Sequence, residues 1–243
     1  MTSLQGKVAV ITGASSGVGW HTAKLFAQQG CHVLVTARRE ERLKQLCAEI
    51  ATEGGQAVYH AGDAATEPCA QAAIDLALKT FGRLDVVVCN AGQGNYKQLV
   101  ETSAAEYDEL MNSNMRSSFL FARIATPHLI EQRSGVLIFI SSVAGIQGTA
   151  NEAVYSASKF AQVGFAQALE AELRGWGIKV TVLCPGGIKT EFAVGKGRTA
   201  EKVAASYMMQ PQEFAESILF ACTQPANARI TQMTVRHMGE PNR

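Results

Sequence analysis

A chain of 243 residues with 47% hydrophobic side chains has room for one large α/β domain or two small ones built on an aliphatic core. A net charge of +1 without a basic run gives no reason to expect a nucleic acid or an anionic membrane surface as partner. Six scattered cysteines (Cys31, Cys47, Cys69, Cys89, Cys184, Cys222) lack any C-x-x-C pair; with no signal-like leader and no long apolar run, they read as free thiols of a cytoplasmic protein.

Lys7 to Thr12 (KVAVIT) is a short β-branched run, a buried strand ending at Gly13. Gly13-Ala14-Ser15-Ser16-Gly17-Val18-Gly19 follows, and Trp20 to Gln29 has helical spacing. A strand, a glycine loop and a helix start can cradle a pyrophosphate on backbone N–H groups at the positive end of the helix. The spacing is T-G-x-x-x-G-x-G, so the G-x-G-x-x-G dinucleotide fingerprint is not met literally. Gly13 to Gly17 also fits G-x-S-x-G, the hydrolase nucleophile elbow. That reading needs a late histidine, for which His237 is the sole candidate, and an elbow well inside the chain rather than on its first strand.

Cys31 to Thr36 is the second strand, leading through Ala37-Arg38-Arg39 into a charged helix that runs to about Glu53. An acid after this strand would bind a ribose 2′-hydroxyl. Ala37 stands there instead, and Arg38 and Arg39 can bind a 2′-phosphate, which points to NADP(H) over NAD(H). The plainer reading is that the two arginines only open a charged helix. Ala57 to His60 is the third strand. Asp63, followed by Ala64, lies either at the adenine edge or as a cap for the helix starting near Glu67-Pro68.

Leu84 to Cys89 is an apolar fourth strand, followed by Asn90-Ala91-Gly92 at its carboxyl end. Ser103 to about Ile130 has a helical pattern interrupted by Asn112-Ser113-Asn114, which signals function or a kink. Gly135 to Ile140 is the fifth strand, ending in Ser141-Ser142. Glu152 to Gly175 is a helix in which Tyr155 and Lys159 share a face one turn apart. A phenol with pKa about 10 needs roughly three units, on the order of 4 kcal/mol, to work near neutral pH. The Lys159 ammonium is expected to supply part of that. Y-x-x-x-K also occurs on ordinary solvated helices, and Ser156-Ala157-Ser158-Lys159 fits S-x-x-K, although the companion K-T-G is absent. Ile178 to Leu183 is the sixth strand, running into Pro185-Gly186-Gly187-Ile188-Lys189-Thr190. Residues 191–210 read as a mobile lid, Pro211 to Thr223 as the last helix, and Ile230 to Val235 as the final strand.

These motifs, in this order, resemble the short-chain dehydrogenase/reductase family in its single-domain form, over nearly the whole chain. The resemblance implies one α/β domain over residues 1–243: a Rossmann-like, doubly wound parallel sheet of seven strands with helices on both faces. It implies a catalytic set of Asn114, Ser142, Tyr155 and Lys159, choosing Ser142 over Ser141 and Asn114 over Asn112 by family spacing. The NADP(H) contacts it implies are Gly13, Ser15, Ser16, Gly17, Val18 and Gly19 in the first loop. Arg38, Arg39, Asp63 and Ala64 follow, then Asn90, Ala91 and Gly92. Tyr155 and Lys159 join Pro185, Gly186, Ile188 and Thr190 on the nicotinamide side. A water anchored by Asn114 is expected to link Lys159 to solvent. Cys89 departs from the asparagine usual before Asn90. The ending Thr231 to Arg236 lacks the glycine-rich apolar stretch of 3-oxoacyl-thioester reductases.

The expected activity interconverts a ketone or aldehyde and its alcohol, with a 3-oxoacyl-thioester reductase or a non-catalytic NADP(H) sensor as alternatives. Gln93, Tyr96, Val143, Ile146, Gln147 and Phe192 are expected to line a mostly apolar substrate pocket. No cation obviously faces a carboxylate there, Lys97 and Lys189 being the candidates; no metal is expected. The resemblance also implies a homotetramer or homodimer.

Overall fold

The β-branched runs become strands, and a computed structural model describing residues 3–240 joins seven of them in one sheet. They are β1 (Val8–Thr12), β2 (His32–Ala37), β3 (Gln56–Ala61), β4 (Val86–Cys89), β5 (Gly135–Ile140), β6 (Ile178–Pro185) and β7 (Gln232–Val235). The order is β3-β2-β1-β4-β5-β6-β7, and every pair is parallel. Crossovers run through α1 (Gly17–Gln28), α2 (Glu40–Thr52), α3 (Glu67–Phe81), α4 (Ala104–Met111), α5 (Ser117–Gln132) and α6 (Ala153–Leu173). A short α7 (Ala200–Ala204) and α8 (Pro211–Cys222) precede β7.

Strand side chains alternate between two cores. Ala9, Ile11, Val33 and Val35 pack with Phe26 of α1, Leu46 of α2 and Phe214 of α8. Val8, Val10, Leu34 and Val87 pack with Ile74 of α3, Phe121 of α5 and Val163 of α6. Both faces of the sheet are therefore covered, which is why its central strands read as unbroken apolar runs.

Several boundaries differ from the sequence reading by a residue or two, and three of the differences have a local reason. β4 begins at Val86, not Leu84, because the buried Asp85 carboxylate accepts from the Val8 N–H (3.0 Å) and from Arg83 (2.7 Å twice). β6 runs two residues past Leu183, since β7 pairs beside it up to Pro185↔Val235. The helix expected over 103–130 is α4 and α5 joined by one π turn, Asn112–Arg116. No helix of the described residues is long and apolar enough to cross a membrane.

The chain lays β2 and β3 to one side of β1, then returns to lay β4 to β7 on the other. The loops after β1 and β4 consequently diverge. That opens a crevice at the carboxyl ends of the two strands, where open α/β sheets hold their ligands.

Candidate active site

The crevice continues into one cavity of about 750 Å³. At its β1 end the chain turns at Gly13 (φ 67°) and enters α1 at Gly17 (φ 54°), both in left-handed backbone that suits glycine. A Cβ on Gly13 would lie 2.8 Å from Ala91 Cα, so the turn sits directly on the loop after β4. The Ser16 side chain does not cap α1 and the first turn of α1 carries no acid of its own; the Glu191 carboxylate, held by Arg39, also bonds the Ser16 side chain. The Thr12 hydroxyl ties the two loops together, accepting from Asn90 N (2.9 Å) and Ala91 N (2.8 Å). The Asn90 amide donates back to Thr12 O (2.8 Å). Gly19, unlike the other loop glycines, does not border the cavity. Its missing side chain makes room for Asn90, whose Nδ2 would be 2.6 Å from a Cβ.

At the neighbouring wall, Arg38 borders the cavity with no ion pair among the described residues. Arg39 is committed elsewhere. It binds Glu191 with both guanidinium nitrogens (2.6 and 3.2 Å) and donates from Nε to Ser15 Oγ (3.1 Å). Asp63 and Ala64 border the cavity too. Asp63 does not cap α3, whose N-cap is Thr66; its carboxylate closes a turn on Ala65 N (3.0 Å).

Tyr155 and Lys159 face the same side of α6, with Nζ 5.8 Å from the phenol ring centre, and both border the cavity. The two serines separate by their bonds. Ser141 Oγ donates to the Lys159 carbonyl (2.9 Å), whereas Ser142 accepts from Ala144 N (3.1 Å) and hydrogen-bonds Tyr155. Burial raises the Tyr155 phenol well above its ordinary value, and Tyr96 adds to this. Ser142 and the Arg198 charge act the other way. Lys159, expected to be the aid to this phenol, is not one of the groups lowering it. Burial pushes Lys159 itself down to about 7, with Cys184 on β6 opposing. Its Nζ donates to Ile140 O (2.9 Å) and Gln162 Oε1 (2.9 Å).

Asn114 lies fully buried behind this pair, outside the cavity lining. Its side chain accepts from Gln93 N (2.8 Å) and donates to Gln93 O (3.0 Å) and Ser158 Oγ (2.8 Å). The π turn leaves its carbonyl outside the regular helical ladder, and that oxygen accepts from Ser118 Oγ (2.8 Å) and Gln162 Nε2 (3.0 Å). The Gln162 amide thus joins Lys159 to the Asn114 carbonyl. Gln162 gave no sign of this in the sequence beyond sitting three residues after Lys159.

Pro185, Gly186, Ile188 and Thr190 form the opposite wall. Of the expected pocket residues, Gln93, Tyr96, Val143 and Phe192 border the cavity, whereas Ile146 and Gln147 lie at a separate shallow dent beside Arg236. Lys97 is bound to Glu106 (2.7 Å) and Lys189 to Ala204 O (3.1 Å). Arg198 takes neither course: it borders the cavity over the Tyr96 ring. Its position depends on a loop fold that no periodicity announces.

A family model described as short chain dehydrogenase matches residues 7–201. An oxidoreductase of Staphylococcus aureus is 34% identical over 236 residues, covering 97% of this chain and 99% of the relative. Among solved structures, a metagenomic short-chain oxidoreductase in complex with NADP is 32% identical with a TM-score of 0.84, over 98% of this chain and 99% of that one. An alcohol dehydrogenase from the archaeon Thermococcus sibiricus, complexed with 5-hydroxy-NADP, is 27% identical with a TM-score of 0.88 and the same coverage. A Rossmann-type sheet, a glycine turn facing a tyrosine–lysine pair across one cavity, and these likenesses end to end lead to one conclusion: the chain belongs to the short-chain dehydrogenase family.

Proposed function

We propose that this chain interconverts a ketone or aldehyde and its alcohol by hydride transfer with NADP(H). The observation that carries the reading is one continuous cavity, lined at one end by the glycine turn and Arg38 and at the other by Ser142, Tyr155 and Lys159. The residues fit a dinucleotide. The first turn of α1 offers N–H groups and no acid of its own, and Gly13 and Gly17 keep the floor free of side chains. Ala37 puts no carboxylate against a 2′-phosphate, and Arg38 can meet one with a charge-assisted bond. The NADP and 5-hydroxy-NADP in the two solved relatives support the same choice.

When bound, NADPH supplies the hydride. Tyr155 gives its proton to the carbonyl oxygen in reduction and takes one from the alcohol in oxidation. Ser142 donates to the same oxygen as charge develops on it. Lys159, brought near 7 by burial, can return a proton to Tyr155 at neutral pH. Asn114 holds the Gln93 backbone against the site and, through Gln162, steadies Lys159. Ile188 and Thr190 orient the carboxamide, and residues 191–210 act as the lid. Exposed Phe119 on α5 and Phe160 on α6 form the faces of a homotetramer or homodimer, which light scattering would report.

The test is NADPH oxidation, followed optically, across a panel of ketones and aldehydes. Turnover of none of them would overturn the reading in favour of a nucleotide sensor. Arg38→Asp should lower the NADPH-to-NADH preference in kcat/KM by about 10- to 100-fold, the loss of one charge-assisted bond; an unchanged ratio would remove Arg38 from 2′-phosphate binding.

A further inference from the structure

The substrate end of the cavity holds a cation that the redox chemistry above does not use. It stands on a folded turn, residues 193–198. Ala193 (φ 60°), Gly195 (φ 81°) and Gly197 (φ 100°) are left-handed there, and Gly195 N donates to Arg198 O (2.9 Å) while Arg198 N donates to Ala193 O (3.1 Å). The turn is anchored to the cavity wall. Tyr96 N donates to Lys196 O (3.0 Å), and Lys196 Nζ donates to Gln93 Oε1 and Glu109 Oε1 (3.1 Å each). Gly197 rests so closely on Tyr96 that a Cβ there would fall 2.5 Å from the Tyr96 Cβ.

This seating brings the Arg198 guanidinium over the Tyr96 ring (4.8 Å to its centre) and near Phe192 (5.8 Å). Both rings pack on Tyr155, with centres 5.7 and 5.9 Å away. The guanidinium is therefore one aromatic ring away from the phenol, and its charge is felt there. A guanidinium held over a ring by its charge still has N–H groups to offer a ligand.

The neighbouring basic groups are occupied. Arg39 is paired with Glu191, Arg236 with Glu240, Lys97 with Glu106 and Lys196 with Glu109. Arg198 is half-buried and has no ion pair or guanidinium hydrogen bond among the described residues. Glu152, just before α6, also borders the cavity and acts on Tyr155. Its charge raises the Tyr155 phenol, whereas that of Arg198 lowers it.

We propose that Arg198 is a substrate-recognition residue and that the preferred substrate is a keto acid, its carboxylate held by the Arg198 guanidinium while its carbonyl oxygen meets Tyr155 and Ser142. The assignment rests on the oxidoreductase reading above and names the substrate class of the same site. In reduction, the carbonyl carbon accepts the hydride of NADPH and the oxygen accepts the proton of Tyr155, giving a hydroxy acid and NADP⁺. A planar fork with two parallel N–H···O bonds suits a carboxylate better than it suits an ester or an aldehyde.

The test compares pyruvate, acetoacetate and 4-oxopentanoate with their methyl esters, using NADPH and the intact protein. The wild-type protein should prefer one of the acids over its ester by at least about 10-fold in kcat/KM. That acid-to-ester ratio should fall by about 100-fold in Arg198→Gln, the loss of a charge-assisted pair, and recover in part in Arg198→Lys. Esters reduced as well as every acid by the wild type, or a ratio untouched in Arg198→Gln, would overturn the keto-acid assignment while leaving the oxidoreductase standing. Failure to reduce any acid, ester, simple ketone or aldehyde would overturn both. If Arg198→Gln does not fold, the wild-type ratio alone decides.

Discussion

The back wall of the cavity and its mouth are built on opposite principles. Behind Tyr155, the groups are buried and multiply bonded. Asn114, Ser118, Ser158, Lys159 and Gln162 form one network whose side-chain polar atoms bond each other or a nearby backbone group. At the mouth, long exposed side chains are paired across loops: Arg39 with Glu191 and Lys196 with Glu109, each roughly half exposed. In a buried network each lost partner leaves another group stranded without water, at about 1–3 kcal/mol. An exposed pair gives up little, because water replaces the partner. The back wall holds geometry, whereas the mouth can rearrange around a ligand.

The widest separation of the two regions comes from Tyr155→Phe. It deletes one oxygen from the rigid side and should lower kcat by about 10²–10⁴-fold, the usual contribution of a positioned acid, with NADPH affinity by fluorescence titration close to wild type. A comparable loss of affinity would mean that the residue serves binding and not proton transfer. Next comes Gln162→Leu. It removes the acceptor of Lys159 and the donor to Asn114 O and Ser118 Oγ, and should cost about 3 kcal/mol in urea unfolding. A change below about 0.5 kcal/mol would show that the network is not a cooperative unit.

A third measurement uses pH. Lys159 has a folded value of about 7 against 10.5 for an ordinary lysine. Between those values the unfolded chain binds more protons, so the Lys159 contribution to stability is least favourable below 7 and improves as pH rises toward 10.5. Unfolding of the nucleotide-free protein in urea at several pH values should show this rise, and Lys159→Met should flatten it. An identical slope in the variant would place the titration elsewhere. The smallest effect belongs to the mouth: Glu191→Gln should change stability by less than about 1 kcal/mol. A larger loss would make that side as rigid as the back wall.

The same division governs what the sequence could reveal. Strands such as VAVIT and LIFI announce themselves through composition, and the four-residue step from Tyr155 to Lys159 follows from helix periodicity. The asparagine-rich interruption at 112–114 marked the π turn without revealing its form. Ser141 and Ser142 are chemically equal in one dimension and become distinct only when the Lys159 carbonyl takes the hydroxyl of one. Gln162 looks like a surface residue in an otherwise mixed helix, since a glutamine shows no preference for such a network. Arg198 was invisible for a different reason. Its neighbours, Tyr96 and Phe192, are brought to it by a turn whose shape depends on three left-handed residues and a tertiary anchor.

The wide turn at Asn112–Arg116 also fixes how long this stretch of polypeptide can be. Removing one residue from it would let ordinary α-helix close through the gap, with better local geometry. Every side chain upstream would then swing by about 100° about the helix axis. Asn114 would no longer present both its amide and its carbonyl to the site, and the deletion would exchange a working enzyme for a tidier helix. Loops on either side can absorb a gained or lost residue, but this segment cannot.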